Sequence, residues 1–174
     1  MSEQIDDANA WRLATPGHEG WSRTARPDDP AKYFIVSADG HVQEPNDLWA
    51  TRMDKKFFER LPGVIRDGKG NKLQKTEGFR PLRLQNTLFG GEDKLRNQSG
   101  KTPEDRVCDL ALDGVDAEIL FPNKGLTIWA TADADFSLAM CKAYNDWAWE
   151  TFADFNDQLV PMACVAPGSL KGTI

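Results

Sequence analysis

Three short apolar runs, residues 33–38, 115–121 and 159–165, set the architecture open to this chain. The first is rich in aromatic and β-branched residues, and turn formers follow each run: Asp39-Gly40, Pro122-Asn123 and, after the third, Gly168. Runs of this length and composition read as strands covered on both faces. Before the second run, Thr102 suits an N-cap and Pro103 the first helical position. Glu104 and Asp105 complement the positive helix end, so a helix is expected from there to Asp113 with Gly114 closing it. Val107, Leu110 and Ala111 form its apolar stripe. Before the third run, Phe136, Met140, Tyr144, Trp147, Thr151 and Phe155, widened by Leu138 and Cys141, mark one face of a long helix starting near Asp133. This stripe reads as core rather than as a cofactor box. Strands alternating with helices predict an α/β fold of parallel βα units, about three of them.

Two segments stand outside that alternation. Residues 1–30 have no sustained period and are broken by Pro16-Gly17, Pro27 and Asp29-Pro30, so a flexible N-terminal tail is expected there. Residues 61–100 hold nine glycines or prolines among scattered charges, which predicts a long irregular excursion with little core. Residues 51–106 carry 14 Lys and Arg against 8 Asp and Glu in a chain whose net charge is −6. A solvated insertion over residues 51–101 is the expected reading, with a basic lip over an anionic substrate as the alternative. Nucleic-acid binding is disfavoured by the acidic balance and by the lack of interleaved aromatic and basic residues.

At 174 residues, one domain with a tail accounts for the length. No apolar run approaches the ~20 residues of a membrane helix, and the start, Met1 to Asp7, is acidic where a secretory signal is basic and apolar. A cytoplasmic protein without membrane partners is the expectation. Cys108, Cys141 and Cys164 form no CxxC pair and no metal-ligand spacing, and are read as reduced, mostly buried thiols.

The chain has two histidines. His18 falls in the tail and reads as a surface residue without function. His41 follows a strand and lies two residues from Asp39, so strand geometry points both side chains the same way. A carboxylate and an imidazole at the C-terminal end of a parallel strand can take adjacent positions around a divalent cation. An Asp–His hydrogen bond that only finishes the strand explains the same pair. Glu44 reads either as a partner of His41 or as a cap of the helix that follows it. Asn123 reads either as a substrate contact or as a turn former beside Pro122.

The run from Phe34 to Trp49, with its Asp39-Gly40-His41 and Glu44-Pro45-Asn46-Asp47-Leu48-Trp49, closely resembles the opening of the amidohydrolase-related metal-dependent enzymes. The resemblance is to the amidohydrolase 2 branch, which includes aminocarboxymuconate-semialdehyde decarboxylase and the resorcylate-type decarboxylases. Arg106 to Pro122, Gly125-Leu126 and Lys142 to Trp147 continue the match in order, over roughly residues 33–167. The resemblance implies a (β/α)8 barrel with Asp39 and His41 as first-strand ligands of one divalent ion, Zn, Mn or Fe. It implies hydrolysis or nonoxidative decarboxylation of a small carboxylate-bearing substrate. Such a barrel takes ~250 residues and further ligands from later strands, so the expectation is the N-terminal part of an enzyme. That part would hold metal weakly, be inactive alone, and associate through open barrel edges, as a homo-oligomer or as a noncatalytic interaction chain.

Overall fold

The computed structural model describes residues 35–84, 102–113 and 115–168; the expected tail, His18, the Gly114 cap and the basic residues 85–101 lie outside them. Three strands, β1 (Val36–His41), β5 (Ala117–Phe121) and β6 (Leu159–Pro161), form a parallel sheet in the order β1-β5-β6. Between β1 and β5 come α1 (Leu48–Arg52), a 3-10 segment (Lys55–Arg60), the strands β2 (Gly63–Arg66), β3 (Lys72–Lys75) and β4 (Leu82–Arg83), and α2 (Pro103–Asp113). Between β5 and β6 come a second 3-10 segment (Lys124–Ala130) and α3 (Ala134–Phe152). The α/β alternation and the parallel sheet are present as the sequence predicts.

The starts of α2 and α3 are both capped by side chains, at Thr102 as expected and at Asp133 as well. Thr102 Oγ1 accepts from the Asp105 N–H at 3.2 Å, and Asp133 Oδ1 accepts from the N–H groups of Asp135 and Phe136, both at 3.0 Å. From α3, Phe136, Met140, Tyr144 and Trp147 are buried, and they meet Leu120 of β5 and Leu159 of β6 in one core. Leu48 and Trp49 of α1 close the same core. Phe57 packs against Phe136 in a tilted arrangement, with centroids 5.2 Å apart. Such fully buried aromatics dominate a core of this size, each stabilising by several kcal/mol, on the order of 3–5 when truncated to Ala.

Three expectations need correction. First, the opening strand runs later than the apolar run, over Val36–His41, so Asp39 and His41 lie inside it. Pairing continues to Gly40 opposite Leu120 and His41 opposite Phe121, across a bulge between Ser37 and Gly40. This strand is also not covered on both faces: Val36, Ala38 and Asp39 are exposed, and β1 is an edge of the sheet among the described residues. Second, the last strand ends at Pro161, not Val165. Met162 still donates its N–H to Leu120 O, but the Asn145 side chain then takes both backbone groups of Cys164, at 2.8 and 2.9 Å, and pulls the chain off the sheet.

Third, residues 63–83 are not irregular. β2, β3 and β4 make an antiparallel meander. Asp67 closes the first turn, its Oδ1 accepting from the Lys69 and Asn71 N–H groups and its Oδ2 from the Asn71 side chain, all at 2.8 Å. The alternation that reveals a strand depends on one buried face, and β2 is exposed at every position.

Candidate metal centre at the end of the first strand

His41 is the last residue of β1, at the C-terminal edge of the parallel sheet, where open α/β folds place ligands. Its Nδ1 lies 3.1 Å from the Pro122 carbonyl oxygen. A carbonyl can only accept, so Nδ1 donates, and the neutral ring carries its lone pair on Nε2. Nε2 in turn faces Asp39 Oδ1 at 3.7 Å. The Asp39 side chain is 92% exposed and that of His41 40% exposed. Both candidates are therefore brought together on one side, as the strand period requires, and at 3.7 Å they make no hydrogen bond that would occupy their lone pairs.

Two donors bound at about 2.0–2.2 Å to one ion stand roughly 3.4 Å apart at a tetrahedral angle. The observed separation is a few tenths of an ångström wider, within a small rotamer adjustment. An imidazole nitrogen and a carboxylate oxygen suit Zn, Mn or Fe. Among the described residues no group of three His, Cys, Asp or Glu converges, so these residues supply two donors and not a complete shell.

The strand geometry around this pair rests on Glu118 of β5. Its Oε2 accepts from Arg106 Nε of α2 at 2.5 Å, and its Oε1 from Ser37 Oγ at 3.4 Å, so the carboxylate lies against β1 beneath the bulge. Gly40 leaves room for it: a Cβ there would overlap the Glu118 carboxylate. Neither Glu118 nor Arg106 stands out as a site residue in the sequence reading. The available signals were a carboxylate within an apolar strand and a guanidinium beside an apolar helix stripe.

Glu44 is a cap, but not of the helix that follows it. Only 4% exposed, it turns back to the loop after β5, where Oε1 accepts from the N–H groups of Asn123 (2.9 Å) and Gly125 (3.0 Å) and Oε2 from that of Lys124 (3.0 Å). Helix α1 starts at Leu48, and its N-cap residue Asp47 makes no side-chain cap. Lys124 Nζ ties the same two segments by donating to Glu44 O at 2.6 Å and Asn46 Oδ1 at 2.9 Å; burial lowers the pKa of this ammonium. Asn123 is exposed and precedes the 3-10 segment without capping it through its side chain.

The basic excursion is partly committed to structure. Arg52 pairs with Glu150, Arg60 with Glu77 and Asp133, and Arg66 donates to the Gly70 carbonyl. Arg60 also lies over the Phe136 ring, 4.3 Å from its centroid. These groups fasten the excursion to α3 and to itself. No helix among the described residues is long and apolar enough to cross a membrane.

No protein-family model matches the chain, and no curated relative matches it. Among solved structures, the chain is similar to the crystal structure of an amidohydrolase from Mycobacterium avium subsp. paratuberculosis K-10. The TM-score is 0.52 at 14% identity, and the match covers 76% of this chain and 42% of that one. The likeness is one of fold, and this chain spans less than half the length of that protein.

Proposed function

We propose that these residues belong to a metal-dependent amidohydrolase-like enzyme of the branch that includes aminocarboxymuconate-semialdehyde decarboxylase. They would form the part of its (β/α)8 barrel that carries Asp39 and His41 as metal ligands. The substrate is a small carboxylate-bearing molecule, hydrolysed or decarboxylated. The observation that carries this reading is the 3.7 Å juxtaposition of Asp39 Oδ1 and His41 Nε2 at the C-terminal end of a parallel strand, with Nδ1 committed elsewhere. The fold shared with part of an amidohydrolase supports it.

A divalent ion at this pair, Zn, Mn or Fe, would supply Lewis-acid polarisation of a substrate oxygen. The chain's own residues do the rest of what can be derived. His41 presents Nε2 because Pro122 holds Nδ1, Asp39 presents an exposed carboxylate beside it, and Asn123 offers an amide at the rim for substrate contact. Two protein donors are fewer than the three usual in catalytic zinc sites, so these residues alone bind metal weakly.

Calorimetric titration with Zn²⁺ tests the reading. Saturable binding is expected, weakened at least tenfold by Asp39→Ala or by His41→Ala, since each removes one of two donors. Binding that neither substitution changes would overturn it.

A second reading is a noncatalytic chain that associates with copies of itself. It is favoured by exposed apolar residues in and beside both outer strands of the parallel sheet: Ile35 just before β1 and Val36 at its start, Val160 in β6, and Met162 and Val165 in the chain that follows it. Native mass spectrometry separates the two readings. Metal-free oligomers favour this one, and a metal-bearing species favours the first.

A further inference from the structure

We infer that Glu44 is a positioning residue for His41, acting through the peptide group that joins Pro122 to Asn123, and that it holds the imidazole with its proton on Nδ1 and its lone pair on Nε2. This deepens the metal-centre reading and rests on it for its purpose.

The Pro122 carbonyl and the Asn123 N–H are the two ends of one planar unit. The N–H end donates to Glu44 Oε1 at 2.9 Å, and the carbonyl end receives the His41 Nδ1–H at 3.1 Å. Rotating that plane would break both bonds. Glu44 also accepts from the Lys124 and Gly125 N–H groups, so its carboxylate is itself held by three consecutive amides. Bonds to an ionised acceptor are roughly twice as strong as neutral ones. An anion on the N–H end polarises the peptide and makes its carbonyl a better acceptor for the imidazole. In many metal sites a carboxylate orients the ligand histidine by direct contact; here one peptide group stands between them.

The local sequence explains the return path. Val42 and Glu44, two residues apart in extended chain, both turn inward at 1% and 4% exposure, while Gln43 faces out. The Val42 N–H donates to Phe121 O at 2.9 Å, and this aligns the chain after β1 with the chain after β5.

With only two histidines, the tautomer can be read directly. Long-range ¹H–¹⁵N spectra are recorded on the metal-free chain in a His18→Gln background near pH ~8, above the ordinary histidine range. His41 is expected as the Nδ1–H form. Glu44→Gln keeps the shape and removes the charge, and should lower the ratio of Nδ1–H to Nε2–H forms roughly tenfold, the worth of one charge-assisted hydrogen bond. Glu44→Ala should lower it further.

A role confined to holding the loop would move the backbone amides of residues 123–125 and leave the ring nitrogens unchanged, and that result overturns the proposal. So does an Nε2–H form in the unsubstituted chain. A Glu44→Gln chain that loses its dispersed amide spectrum overturns it as well, because Glu44 would then be a folding determinant only. Zn²⁺ added afterwards tests the metal reading separately. If the His41 Nε2 resonance does not respond, that reading fails while the tautomer result stands.

Discussion

The carboxylate of Glu118 occupies the space that a side chain at position 40 would need, so any larger residue between Asp39 and His41 has to displace it. The carboxylate cannot simply swing away. Arg106 and Ser37 hold its two oxygens, and its side chain is only 10% exposed. Gly40→Ala should therefore destabilise the chain by about 1–3 kcal/mol, the usual cost of overpacking. Urea unfolding measures this; an unchanged midpoint would mean that Glu118 relocates freely.

Arg106 and Glu118 form a pair with side chains 16% and 10% exposed. Removing one partner leaves a charge out of water without compensation, which costs about 3–5 kcal/mol. Arg106→Met should show a loss of that order. Arg106→Met combined with Glu118→Leu should recover most of it, and additive losses in the double-substitution cycle would contradict the account.

Acid should loosen the fastening between the excursion and α3. Hydrogen bonds from Arg60 and then Thr131 hold the Glu77 carboxyl at about 2, below its ordinary 4.5. The Asp133 carboxyl is also lowered, by the Phe136 N–H first and by Arg60 next. A group whose folded value is depressed stabilises fully above its unfolded value and loses that contribution as pH falls through the folded one. Stability should thus decline from near pH 4.5 toward about 2. Thermal melts of Glu77→Gln should show a shallower acid decline than the parent; identical slopes would refute the assignment.

The three cysteines should differ in reactivity. Cys108 is exposed, whereas Cys141 is buried and Cys164 partly so. Burial raises the Cys141 thiol and pushes Cys164 up to about 12, which leaves little thiolate at neutral pH. Alkylation of the folded chain should add one label, at Cys108, and denaturant should add the other two. The reading of these residues as mostly buried holds for Cys141 and fails for Cys108, which lies on the exposed side of a helix whose inward face is marked by Leu110.

The contrast between α3 and the meander shows why some elements were legible. In α3 the cap at Asp133 and the stripe from Phe136 to Trp147 agree, because a helix that buries one face must repeat apolar residues at its own period. β2 buries no face, so it leaves no alternation to read. The extent of the third strand was overestimated for another reason: Val165 is apolar, yet the Asn145 side chain ends the backbone pairing at Cys164.

The amino-acid order alone determined what is local: where α2 and α3 begin, that each of three apolar runs overlaps a strand, and that Asp39 and His41 share a side of β1. Those features depend on groups within a few residues of each other. Tertiary structure alone decided that His41 meets the carbonyl of Pro122, 81 positions away, and that Glu44 caps residues 79 to 81 positions on. It also placed Glu118 beneath Gly40. These contacts follow from the register of β1 against β5 and from the bulge after Ser37. A one-residue slip in that register would turn every side chain to the opposite face.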